Sequence, residues 1–80
     1  MDLVAVYMPK YGMTMEAGIV VEWLVQEGDR VQEGDRIAVI ETEKVNTELE
    51  APASGTIAEI SVDVDTEVPV GKVIAYIEKG

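Results

Sequence analysis

The stretch GIVVEWLVQEGDRVQEGDRIAVIE, residues 18–41, returns 37 residues later as GTIAEISVDVDTEVPVGKVIAYIE, residues 55–78. The shift carries Gly18 to Gly55, Glu22 to Glu59, Val25 to Val62 and Val31 to Val68. It also carries Gly34 to Gly71, Ile37 to Ile74, Ala38 to Ala75, Ile40 to Ile77 and Glu41 to Glu78. Apolar positions match in kind where they do not match in identity, as Val20 does with Ile57. A strand-rich unit of this size cannot bury its own apolar face, but two copies facing each other can. The expected fold is therefore all-β: a flattened barrel or sandwich of two antiparallel sheets related by a pseudo-two-fold axis.

The rest of the chain agrees with that frame. β-Branched runs separated by glycine, proline and acidic residues predict strands near 3–8, 18–25, 36–41, 45–50, 55–62 and 73–78. Brief paired segments around Val31 and Val68 would bring the total to eight. Helix is disfavoured, because Gly28 and Gly34 interrupt the one long candidate and Pro9, Pro52 and Pro69 punctuate the remainder. A shorter repeat, Val-Gln-Glu-Gly-Asp-Arg at 25–30 and again at 31–36, suggests a solenoid. Two copies fall short of the three or more that a solenoid needs. Eighty residues are expected to form a single domain over 1–80.

The two halves differ in one place. Each ends in a strand finishing Ile-Glu, at 40–41 and 77–78. After the second the sequence closes on Lys79 and Gly80, whereas after the first it must turn through Glu-Thr-Glu-Lys-Val-Asn-Thr-Glu, residues 41–48. The two-fold relation predicts that the 42–45 turn projects away from both termini, with Lys44 at its tip. Neither central residue is glycine, so an ordinary type I turn is expected rather than the type I′ that favours Asn-Gly. A surface lysine amine is protonated at neutral pH and is a poor nucleophile. No aromatic pocket or cation cluster in the local sequence promises to activate Lys44 as a Schiff-base lysine is activated. If Lys44 is functional, another enzyme modifies it.

Composition excludes several classes of function. Sixteen acids against six bases give a net charge of −10, unsuited to nucleic acid or an anionic membrane surface. No apolar run approaches the roughly 20 residues of a membrane span, and no secretory leader pattern is present. There is no cysteine and no histidine, so disulfides, thiolate metal sites and the commonest general base are all missing. Without a Gly-rich phosphate loop as well, an enzyme is a poor reading. The acid pairs Glu27 and Asp29, and Glu33 and Asp35, lack the spacing of a calcium loop and are better explained as solvated turns.

Several motifs together resemble the lipoyl domains of 2-oxo acid dehydrogenase acyltransferases. They are Met8-Pro9-Lys10, Gly12, Thr14-Met15, Gly18 and Trp23, then Glu27-Gly28-Asp29, Val31 and Gly34-Asp35. Ile40-Glu41-Thr42-Glu43-Lys44, Ala51-Pro52, Gly55 and Val68-Pro69-Val70-Gly71 extend the match over nearly the whole chain. The resemblance implies a flattened barrel of two four-stranded sheets that carries lipoic acid, amide-linked to Lys44, as a swinging arm. A lipoate ligase or lipoyltransferase would attach it, and Glu41, Glu43, Glu48 and Gly28 correspond to positions associated with recognition by that enzyme. The structural alternatives are strand-end charges for Glu41 and Glu48 and a turn glycine for Gly28.

The family usually has aspartate where this chain has Glu43, and the extra methylene weakens any side-chain bond to the turn backbone. The implied partners are the thiamine-dependent decarboxylase or dehydrogenase of a 2-oxo acid or acetoin dehydrogenase complex, the acyltransferase core and dihydrolipoamide dehydrogenase, in a bacterial or archaeal cytoplasm or a mitochondrial matrix. The isolated domain would be a monomeric carrier without catalytic groups of its own. Lys10, Tyr11, Gly12, Met13 and Thr14 are expected to pack beside the Lys44 turn and to read the partner. Trp23 is expected to close one end of the core, and the methionines at 8, 13 and 15 to divide between core and loop surface.

Two other readings share the fold. A biotin carrier presents its lysine between methionines, whereas here the flanks are Glu43 and Val45. An unmodified interaction module would use the protruding turn as an acidic docking element.

Overall fold

The computed structural model describes residues 2–43 and 45–79. Lys44, on which the carrier expectation turns, lies outside the described residues, as do Met1 and Gly80. The chain runs through β1 (Asp2–Tyr7), β2 (Ala17–Trp23), β3 (Arg30–Val31), β4 (Arg36–Glu41), β5 (Asn46–Glu50), β6 (Gly55–Ile60), β7 (Thr66–Pro69) and β8 (Val73–Lys79), with no helix among the described residues. Two four-stranded antiparallel sheets result, ordered β1-β8-β6-β3 and β5-β4-β2-β7. β1 is displaced by one residue from the expected 3–8, and β2 stops at Trp23, two residues short of Val25. There the chain leaves one sheet for the other, although Leu24 N–H still bonds the Ile37 carbonyl at 2.9 Å.

The internal repeat is realised strand by strand. A shift of 37 carries β2 onto β6, β3 onto β7 and β4 onto β8. Both bulges on the central pairings obey it, falling between Val20 and Glu22 on β2 and between Ile57 and Glu59 on β6. The place that β5 holds beside β4 is held beside β8 by β1. β1 pairs with β8 as β5 pairs with β4: Val4 faces Ile77 where Thr47 faces Ile40, and Val6 faces Ala75 where Leu49 faces Ala38.

The core is built from these mates. Val20 and Ile57, Val31 and Val68, Ile37 and Ile74, Ala38 and Ala75, Ile40 and Ile77 are all buried, as are Val6 with Leu49 and Met8 with Ala51. Each buried branched aliphatic side chain contributes about 1.5–3 kcal/mol relative to exposure, and these side chains fill the space between the sheets. Trp23 packs against the edge of this cluster and donates its indole N–H to the Val62 carbonyl at 3.2 Å. The methionines divide as their positions suggest: Met8 is buried, Met15 packs partly against the core, and Met13 is 94% exposed.

The hexapeptide repeat forms two identical turns rather than a solenoid. The Asp29 carboxylate accepts the Gln26 N–H at 2.9 Å, and the Asp35 carboxylate accepts the Gln32 N–H at 2.8 Å. Each turn is then tied to the neighbouring chain of the sheet it leads into by a reciprocal pair of backbone bonds. Gly28 N–H bonds the Ile57 carbonyl and Ile57 N–H the Asp29 carbonyl; Gly34 N–H bonds the Ala51 carbonyl and Ala51 N–H the Asp35 carbonyl.

Candidate functional site

β4 and β5 run antiparallel to the pair Glu41 and Asn46, leaving residues 42–45 to reverse the chain. Thr42 closes this turn with both its backbone and its side chain. Its N–H donates to the Val45 carbonyl at 2.9 Å, and its hydroxyl donates to the same oxygen at 3.0 Å. The hydroxyl also accepts the Val45 N–H at 3.2 Å. A threonine side chain thus completes the closure, which explains how a hairpin turn forms here without glycine. Among the described non-glycine residues only Asp65 has a positive φ, so Glu43 keeps an ordinary backbone. The mate of the Thr42–Val45 closure is the pairing of Lys79 with Asp2, where the two terminal strands meet. The turn therefore stands at one sheet end, and Asp2 and Lys79 at its two-fold equivalent.

Glu43 and Val45, the sequence neighbours of Lys44, both line an open groove of about 600 Å³. Thr42, Glu41, Ala17, Gly18 and Ile19 form the sheet side of this groove, with Glu67 from β7. Tyr11, Gly12, Thr14, Met15 and Glu16 bring in the connection between β1 and β2. Within that connection Tyr11 N–H donates to the Met15 sulfur at 3.3 Å, and Met15 N–H to the Gly12 carbonyl at 3.2 Å. Burial, and secondarily the Glu50 carboxylate, push the Tyr11 phenol above its ordinary pKa.

Three of the five loop residues singled out in the sequence, Tyr11, Gly12 and Thr14, thus share a groove with the 42–45 turn; Lys10 and Met13 do not line it. Glu41 and Glu43 are part of the same groove. Glu48 is not, and instead pairs with Arg36, Oε1 to Nε 3.3 Å, on an exposed surface. Gly28 is also elsewhere, in the β2–β3 turn, where it has φ 95° and a backbone bond to β6. Sequence reasoning did not single out Glu16, Ala17, Ile19 or Glu67 for this site. Their meeting depends on strand order, since Ile19 has Glu41 of β4 on one side and Glu67 of β7 on the other.

The groove has an aliphatic floor of Ala17, Ile19 and Val45 with Met15 beside it, and four carboxylates, Glu16, Glu41, Glu43 and Glu67, around it. Such a lining accommodates a neutral aliphatic chain and ring, as lipoamide has, and opposes an anion. The donor set thus fits an amide-linked lipoyl group at the neighbouring lysine.

Comparison with known proteins agrees with this geometry. The family model described as "Biotin-requiring enzyme" (Biotin_lipoyl) matches residues 4–77. The dihydrolipoyllysine-residue acetyltransferase component of the acetoin cleaving system of Bacillus subtilis is 47% identical over 74 residues, 92% of this chain and 19% of its own length. The corresponding component of the pyruvate dehydrogenase complex of Rhizobium meliloti is 49% identical over 71 residues, 88% of this chain and 16% of its own length. The chain therefore spans about a fifth or less of these relatives. A solved structure, the lipoyl domain of the 2-oxoglutarate dehydrogenase complex of Azotobacter vinelandii, superposes with a TM-score of 0.79 at 30% identity. That match covers 96% of this chain and 98% of the other. By sequence over residues 4–77 and by fold over nearly its whole length, the chain belongs to the biotin/lipoyl family and has the fold of its lipoyl domains.

Proposed function

We propose that this chain is a lipoyl carrier domain that holds lipoic acid in amide linkage on Lys44. The observation that supports this most directly is the turn closed by Thr42 and Val45, in which both neighbours of Lys44 line one groove of a lipoyl-type fold. When bound, the dithiolane would supply the chemistry of carrying an acyl group and two electrons between active sites. The chain's own residues supply position. Thr42 fixes the turn, the core mates hold β4 and β5 rigid behind it, and tethering raises the local concentration of the arm to about millimolar.

A lipoate ligase or lipoyltransferase is the first partner, with Glu41, Glu43, Glu48 and Gly28 as the residues it reads. The later partners are the thiamine-dependent decarboxylase or dehydrogenase of a 2-oxo acid or acetoin dehydrogenase complex, an acyltransferase core and dihydrolipoamide dehydrogenase, in a bacterial or archaeal cytoplasm or a mitochondrial matrix. Relatives from the acetoin and pyruvate systems support this set. The loop from Lys10 to Thr14 is the surface that distinguishes the decarboxylase.

Intact mass tests the reading. Protein made with lipoate, biotin and their ligases available should gain a lipoyl increment that maps to Lys44 and is absent in Lys44→Ala. A biotinyl increment would overturn it in favour of carboxyl transfer. No increment, where a control domain is modified, would leave an unmodified interaction module.

A further inference from the structure

The two halves of the molecule act as controls for each other, and they differ at the groove. Ala17 and Ile19 lie on the outer face of β2, half-buried, between the inward-facing Gly18 and Val20. Their mates on β6 and just before it are Ser54 and Thr56. The cross-strand row Glu67–Ile19–Glu41 corresponds to Arg30–Thr56–Glu78 in the other sheet. Val45 corresponds to Asp2. The fold is thus satisfied by polar residues at the same three positions, with an outer-face row that balances Arg30 against Glu78. In the groove those positions are apolar and the flanking row is acidic on both sides. An outward face of an antiparallel sheet is ordinarily polar, so the aliphatic floor serves something other than the core.

We propose that this floor is a resting seat for the lipoyl group carried on Lys44, so that the chain's own arm is the occupant. The inference rests on the carrier reading above. Continuity supports it: the groove walls include both sequence neighbours of Lys44, Glu43 and Val45. Charge supports it as well. Glu16, Glu41, Glu43 and Glu67 oppose free lipoate, acyl phosphates or other anions, yet impose no such barrier on a neutral amide-linked arm. The volume, about 600 Å³, lies within the range of small-ligand sites.

Tethering makes even a weak seat effective. A groove with a dissociation constant of about a millimolar would remain empty in a micromolar solution of free lipoamide. At the ~millimolar effective concentration of a short tether it is about half filled. Such a seat shelters the ring between visits and still releases it readily to a partner's active site.

The test uses methyl-labelled protein, with lipoylation first established by intact mass. On lipoylation the Ala17, Ile19 and Met15 methyl resonances should move and show cross-relaxation with protons of the arm. Val45 is excluded from the readout because it adjoins the attachment residue. The Thr56 methyl, mate of Ile19, should not respond. Ile19→Thr imports the residue the other half already tolerates at the same position, so the fold is retained. In that variant the Ala17 shift should fall by half or more. Reduction of the dithiolane by a water-soluble phosphine should also become about two-fold faster, as the sheltered half of the population is released. If mass confirms the modification but Ala17 and Ile19 respond no more than Thr56, the seat is refuted and the carrier reading stands. If the lipoyl increment never forms, the carrier reading fails and the seat with it. Should Ala17 and Ile19 respond to a lysine-rich peptide and not to lipoylation, the groove belongs to a basic partner and the seat is overturned.

Discussion

Gly28 and Asp65 hold the same position in the two halves of the molecule, and both have left-handed backbone, with φ of 95° and 64°. Gly28 N–H bonds the Ile57 carbonyl at 2.8 Å, and Asp65 N–H bonds the Val20 carbonyl at 2.7 Å. Those two acceptors are themselves mates across the pseudo-two-fold axis. The backbone geometry is therefore imposed by the fold on both halves, and one half meets it with glycine and the other with aspartate, a residue that visits this region at reduced cost.

This equivalence predicts unequal responses to substitution. A Cβ at Gly28 meets nothing within 4 Å, so Gly28→Ala should lose only the backbone term, about 1–2 kcal/mol. Asp65→Gly relieves the same strain but gains unfolded-state freedom, and should change stability by less than about 1 kcal/mol. Urea denaturation of both variants checks this. If the ligase reads Gly28 as well, lipoylation of folded Gly28→Ala should slow while that of Asp65→Gly does not.

Gly18 and Gly55 form a second pair of mates with unequal surroundings. A Cβ at Gly55 would collide with the backbone carbonyl of Glu78, which the β6–β8 pairing holds in place. At Gly18 the neighbours are side-chain rather than backbone atoms, the flexible end of Met15 (Cε) and Met8 Sδ at 3.0 Å and Ile40 Cγ2 at 3.1 Å. Gly55→Ala should therefore cost at least the upper end of the ~1–3 kcal/mol typical of overpacking, and Gly18→Ala about 1 kcal/mol. Thermal melts showing equal losses would contradict the difference in surroundings.

Thr42 offers a way to disturb the turn without touching the lysine. Thr42→Val removes a hydroxyl that both donates to and accepts from Val45, and should destabilise by about 0.5–1.5 kcal/mol. Its lipoylation rate should drop several-fold, whereas Thr42→Ser, which keeps the hydroxyl, should be modified at nearly the normal rate. Mass spectrometry over a time course of modification reads both.

The Arg36–Glu48 ion pair is exposed, with side-chain accessibilities of 67% and 44%, and should contribute no more than about 1 kcal/mol. Glu48→Gln and Arg36→Gln should accordingly have similar, small effects on denaturation midpoints. They part on attachment: a ligase that reads the Glu48 carboxylate is slowed by Glu48→Gln and not by Arg36→Gln. Equal rates in the two variants would remove Glu48 from the recognition set.

The sequence itself determined the architecture. Its 37-residue repeat implied two apposed sheets, and the buried mates, such as Ile37 with Ile74 and Ile40 with Ile77, fill the core as that repeat required. Its strand positions followed from β-branched runs and turn residues, with eight strands near the expected places. Its motif from Ile40 to Lys44 singled out the turn that the Thr42 and Val45 bonds close. Only the tertiary structure decided which side chains surround that turn. Ile19, Glu41 and Glu67 stand in one row because β2 lies between β4 and β7, an order fixed by pairing between segments distant in sequence. The left-handed Asp65 was hidden for the same reason: no local glycine announces it, and its backbone is set by a bond to Val20 across the molecule. Local pattern specifies which face of a strand is apolar, whereas the company each face keeps is set by long-range pairing.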